Sequence, residues 1–97
     1  MRNKVVRTAV DNFDRLTEFL KCQIANEVQL TFNDISDVIG VTLPLAARTH
    51  RQWWENQASA VGRQCHAWLS AGWNVRDVRL GQQYVVFGRS TIQIPWR

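Results

Sequence analysis

The stretch from Val28 to Trp54, VQLTFNDISDVIGVTLPLAARTHRQWW, decides how this chain is read. Val28, Leu30 and Phe32 alternate with Gln29 and Thr31, the period of a half-buried strand. Ile35, Val38 and Ile39 then recur at helical spacing. Thr31 or Asn33 can cap that helix, Asp34 and Asp37 suit its positive end, and Gly40 can end it in the left-handed conformation. Leu43-Pro44 opens a second helix, predicted over 44–55, with Pro in the first turn where its missing N–H costs nothing. At about 100° per residue, Ala46, His50, Trp53 and Trp54 fall on one side of it and Arg48, Arg51, Gln52 and Glu55 on the other. Strand, capped helix, tight turn and two-faced helix make the core of a helix-turn-helix, whose second helix carries the reading residues in DNA-binding proteins.

On the N-terminal side, residues 1–10 mix Arg2, Lys4 and Arg7 with Val5, Val6 and Val10, which suits a basic arm or an added strand. A helix starts at Asp11 or Asn12, either of which can cap it, and buries Phe13, Leu16, Phe19 and Leu20. On the C-terminal side, a loop over 56–60 leads to a helix over roughly 61–71, with Val61, Cys65, Trp68 and Leu69 inward and Gly72 as its stop. Trp73, Val75, Val78 and Leu80 read as a strand with a bulge near Arg76-Asp77. Leu80-Gly81-Gln82-Gln83 turns the chain, and Tyr84 to Phe87 returns. A helix-turn-helix followed by a hairpin is a winged helix. The expected fold is therefore α+β, in the order helix, strand, helix, helix, helix, two-stranded wing. The domain spans 11–89, between an N-terminal extension 1–10 and a tail 90–97 in which Ile92, Ile94 and Trp96 alternate with other residues.

Ninety-seven residues build one modest core. Hydrophobic residues make up 45% of the chain, which rules out wholesale disorder, and five Trp supply much burial area for so small a domain. Ten of the twelve basic residues are Arg and the formal charge is +4, which favours a polyanionic partner. Cys22 and Cys65 form no CxxC pair and fall inside predicted helices, as two reduced, packed thiols would. No apolar run approaches the roughly eighteen residues of a membrane span and no signal-peptide segment opens the chain, so a cytoplasmic protein without a membrane partner is expected.

The pattern Leu30-Thr31-Phe32, Ile35, Ile39-Gly40, Leu43-Pro44, Ala47-Arg48, Trp53-Trp54-Glu55-Asn56, Ala67-Trp68-Leu69 and Ala71-Gly72-Trp73-Asn74-Val75 resembles a family of small bacterial and phage winged-helix-like domains of unknown function. Asp14-Arg15-Leu16 with Phe19-Leu20 is similar to that family's first helix, so the resemblance covers roughly 13–89. Members stand alone or are joined to endonuclease domains, which implies DNA binding as a targeting role. The family usually carries a Ser before the Ala-Arg pair, where this chain has Leu45-Ala46-Ala47-Arg48.

Arg48, Arg51 and Gln52 are the candidate DNA contacts, since Arg can bond both acceptors of guanine and Gln can pair with adenine in the major groove. The alternative is a solvated face whose Arg side chains pair with Glu55. Asn56 is a further candidate. With Gln57 and the rings of Trp53 or Trp54 it would form a pocket for a flipped base, although a Trp pair in a small domain is more simply core. Arg76, Arg79 and Arg89 flank the hairpin, where a wing meets phosphates and where Arg also guards strand edges. His50 falls on the apolar side of its helix as a core histidine. Cys65 and His66 are adjacent and project to different faces, so no metal is expected. The eight acidic residues form no spaced dyad, and no phosphate loop or nucleophile elbow is present, so neither catalysis nor a cofactor is expected.

The expected partner is thus double-stranded DNA, as for a regulator or a defence or phage recognition protein, with dimerisation through the two ends as a means of gaining affinity. The competing expectation is a phage or mobile-element protein that binds and inhibits a host defence protein, through the Arg-rich face or through Ile92, Ile94 and Trp96.

Overall fold

A computed structural model describes residues 11–56 and 64–90. A 3-10 turn, Asp11–Phe13, runs into helix α1 (Asp14–Lys21). Strand β1 (Glu27–Thr31) leads directly into α2 (Phe32–Ile39), and α3 (Leu45–Thr49) is followed by a second 3-10 turn, Arg51–Trp54. Helix α4 (His66–Leu69) precedes strands β2 (Trp73–Arg79) and β3 (Tyr84–Arg89). The result is a small α+β domain of helices and a three-stranded antiparallel sheet in the order β1-β3-β2. The strand before α2 is therefore an edge of the hairpin's own sheet, a pairing that its local alternation does not reveal.

Local chemistry sets these boundaries. The Thr31 hydroxyl accepts from the Asp34 amide at 2.9 Å while the Asp34 carboxylate accepts from the Thr31 amide at 3.0 Å, a reciprocal capping box that starts α2. Phe32 is thereby the first residue of the helix rather than the last of the strand. Gly40 ends α2 at φ +83°, as expected of the residue that best tolerates that conformation. The bulge predicted near Arg76-Asp77 is present: Val75 faces Phe87 and Asp77 faces Val86, which leaves Arg76 as the inserted residue.

The N-cap position of α1 falls on Phe13, which makes no side-chain cap, because the chain enters through the 3-10 turn; the buried Asn12 amide donates to the Ile39 carbonyl at 2.9 Å, tying that turn to the end of α2. Of the helix expected over 61–71, residues 64–71 are described and only α4 among them is helical, the flanking residues forming turns; 61–63, like the arm 1–10 and tail residues 91–97, lie outside the described residues. Cys65 is buried, whereas Cys22 sits exposed just past α1.

The largest correction concerns the helix over 44–55, which is broken at His50, whose backbone is extended at φ −126° and ψ 118°. The indole N–H of Trp54 donates to the Ala47 carbonyl at 2.7 Å. In a continuous helix that carbonyl would accept from the amide of Arg51, four residues on. Here the carbonyl accepts from the buried indole instead, and α3 ends after five residues. The break also lets the neighbouring Trp53 and Trp54 both face the core, with centroids 4.7 Å apart, whereas adjacent helical residues diverge by about 100°. Ala47 is consequently the buried residue of α3, and Ala46 and His50, predicted to be inward, are exposed.

Trp54 is the centre of the core. Its ring stacks on Phe32 at 6.1 Å and on Trp68 at 5.7 Å, and meets Phe87 edge-on at 6.5 Å. It thus joins α2, α4 and β3. The Thr17 hydroxyl donates to the Ala67 carbonyl at 2.7 Å and fastens α1 to α4.

Candidate nucleic-acid interface

The candidate residues divide into those held outward and those consumed by the fold. Arg48 is exposed on α3 and has no ion pair among the described residues. Gln52 is exposed on the 3-10 turn. Although they no longer share one helix with it, Arg51 and Glu55 are exposed as well.

Arg51 links the helical half to the hairpin. Its Nη1 donates to the Val78 carbonyl at 2.7 Å and its Nη2 lies 3.9 Å from Asp77 Oδ1. Asp77 Oδ2 accepts from Arg79 Nε at 2.7 Å, so one carboxylate stands between two guanidinium groups. The hydrogen bond from Arg79 holds the Asp77 carboxyl below its ordinary value; partial burial opposes this, and the charges of Arg79 and Arg51 reinforce it. The same hydrogen bond raises Arg79. Arg51, Gln52, Arg76 and Asp77 are among the walls of an open groove of about 230 Å³ between the 3-10 turn and the bulged strand.

Arg76, the bulge residue, lies over Gly88 and donates to the Arg89 carbonyl at 3.0 Å. A Cβ on Gly88 would meet Arg76 Nε at 1.6 Å, so the glycine supplies the space in which this side chain lies. Arg89 is half-buried: its guanidinium sits 4.7 Å from the Trp73 ring centroid and donates to the Gln23 carbonyl. Its position serves the packing of the sheet on the loop after α1.

Asn56 also works inside the fold. Its Oδ1 accepts from the Val75 amide at 2.8 Å and from Trp68 Nε1 at 2.9 Å, and its Nδ2 donates to the Val75 carbonyl at 2.9 Å. The side chain thus imitates a neighbouring strand along the outer edge of β2, a role that no spacing in the sequence announces. Trp53 and Trp54 are buried core rings, as the packing alternative holds, and each also contributes to the wall of an open groove. Gln57 lies outside the described residues. His50 is exposed, with Nδ1 2.8 Å from the Thr49 hydroxyl, and is not a core histidine.

The charge distribution adds a second correction. All eight acidic residues fall within 11–56 and 64–90, against seven of the twelve basic ones. The basic surplus therefore resides in Arg2, Lys4, Arg7, Arg63 and Arg97, outside the described residues. Within them, cations concentrate on α3, the following turn and the hairpin, whereas α1, β1 and α2 carry five acidic residues, Asp14, Glu18, Glu27, Asp34 and Asp37, against Arg15 and Lys21.

Among the described residues no three His, Cys, Asp or Glu side chains could together hold a metal ion, and no helix is long and apolar enough to cross a membrane. No curated protein and no solved structure matches the chain. One family model does match, over residues 13–91, and the chain belongs to that family, described as Domain of unknown function (DUF7662).

Proposed function

We propose that the chain is a winged-helix protein that binds double-stranded DNA, with Arg48, Arg51 and Gln52 presented by α3 and the turn after it, and Arg76 and Arg79 by the hairpin. The single observation that carries this reading is the bond from Arg51 to the Val78 carbonyl, which fixes the helical cations and the hairpin cations as one surface. The order β1, α2, turn, α3, hairpin, with β1 paired to the returning strand, supports the winged-helix assignment. Asp77 neutralises part of the cluster through Arg51 and Arg79, while Arg48 and Arg76 make no ion pair among the described residues. The basic ends supply further phosphate contacts, as in DNA-binding arms. A role as a regulator or in defence or phage DNA recognition is consistent with such a surface.

A second reading, a protein partner such as a host defence protein, has one observation in its favour. Leu45 is 69% exposed on α3, beside an open groove of about 250 Å³ formed by Ala46, His50, Gln52 and Trp53. Apolar side chains on such a helix also suit thymine methyl groups. Anisotropy with a labelled duplex separates the two readings. The DNA reading expects binding that Arg48→Ala/Gln52→Ala weakens and Leu45→Ser alters only for particular sequences. Absence of duplex binding at low salt favours the protein partner.

A further inference from the structure

The two edges of the sheet are treated differently, and the difference points to a partner. On the β2 edge, the Asn56 amide covers both backbone groups of Val75 and Arg51 covers the carbonyl of Val78. The β1 edge has no such cover among the described residues. Phe32 donates to Gln83 and Arg89 donates to Asn26, each at 2.9 Å, which places Asn26, Val28, Leu30 and Phe32 at the positions bonded to β3. Glu27, Gln29 and Thr31 therefore turn their N–H and C=O groups away from the sheet. The Thr31 amide is taken by Asp34, which leaves the donors and acceptors of Glu27 and Gln29 for a neighbour. This edge carries no Lys, Pro or bulge to discourage strand addition, and its single charge is the exposed Glu27.

We propose that this edge pairs with the same edge of a second copy, antiparallel, with Val28 at the twofold axis. In that register Glu27 faces Gln29 of the partner subunit, and the four free amide and carbonyl groups on each side are matched in reciprocal bonds. The side chains match too: each exposed Gln29 amide can donate to the opposite Glu27 carboxylate, and no like charges face each other directly. The edge is thus complementary to itself, with its bonding run ended by the capping box. Two three-stranded sheets become one of six. This interface uses neither the cationic surface nor the chain ends, so it stands apart from the DNA reading.

Sedimentation equilibrium of the full chain tests it with three variants. The amide of Gln29 points away from β3, so Gln29→Pro removes an outward donor and spares the internal ladder. Gln29→Glu opposes two carboxylates twice per dimer, and Glu27→Lys/Gln29→Glu replaces them with two opposite-charge pairs. The wild-type chain is expected to be dimeric and Gln29→Pro to shift it to monomer with unchanged far-ultraviolet circular dichroism. Gln29→Glu is expected to raise the dimer dissociation constant about tenfold, and the double variant to restore it. A monomeric wild type, a dimer indifferent to both single variants, or a double variant that fails to recover overturns the proposal.

Discussion

Trp54 donates its indole N–H to the Ala47 carbonyl at 2.7 Å, a bond that ties the ring at the centre of the core to the short helix α3. The ring can touch Phe32, Trp68 and Phe87 only because the backbone turns out of the helix at His50. Arg51 is carried by the same break toward the hairpin, where it reaches the Val78 carbonyl. Core packing thereby positions the cationic surface.

Trp54→Phe keeps an aromatic ring but removes the donor. The loss of one buried hydrogen bond and part of the ring volume should cost about 2–4 kcal/mol in urea unfolding. Unchanged stability would show that the indole bond does not hold the break.

Asn56 is exposed, yet it completes the β2 edge. Asn56→Ala should destabilise by about 1–3 kcal/mol, since Trp68 Nε1 and both backbone groups of Val75 lose their partner. Asn56→Ala should also speed amide exchange at Val75, read by NMR. A surface residue without this role would change stability by about 0.5 kcal/mol or less.

The Asp77 carboxyl, lowered mainly by the Arg79 hydrogen bond, should titrate by NMR with a midpoint below the ordinary 3.8. Because its folded-state value is depressed, its contribution to stability is present above the unfolded value and lost as pH falls through the folded one. Arg79→Ala should return the midpoint toward the ordinary value, and Asp77→Asn should flatten stability over that acidic window. The effect is small, as expected for a solvent-screened group.

Gly88 and Arg76 form a coupled pair. Gly88→Ala should destabilise the wild-type chain by about 1 kcal/mol, because the new methyl group evicts the Arg76 side chain from its place on the strand. In an Arg76→Ala background the same change should be neutral or slightly stabilising, since Ala is the better strand residue in backbone entropy. A double-mutant cycle reads the difference directly; additive effects would contradict the contact.

Where local chemistry governs, the sequence is an accurate guide. Thr31, Asp34 and Gly40 bound α2 by bonds between near neighbours, and the broken alternation at Arg76-Asp77 marks a real bulge. The misreadings come from contacts across the chain. Periodicity at 44–55 is satisfied by a continuous helix, and nothing local shows that Trp54 will claim the Ala47 carbonyl. Asn56 reads as a polar loop residue until β2 lies 19 positions away beside it. The same holds for Arg89, whose place on Trp73 depends on the register of the hairpin. Exposure of Arg48, Arg51 and Gln52 was legible because an apolar strip leaves its remainder outside, whatever the helix does at His50.

The central claim, a DNA surface on α3 and the hairpin, is tested most directly by the salt dependence of binding to a random-sequence duplex of about 30 base pairs. The logarithm of the association constant should fall linearly with that of salt concentration, and Arg48→Ala should reduce the slope by about one phosphate contact while leaving the thermal midpoint unchanged. No binding at low salt, or a slope that Arg48→Ala does not alter, would contradict it.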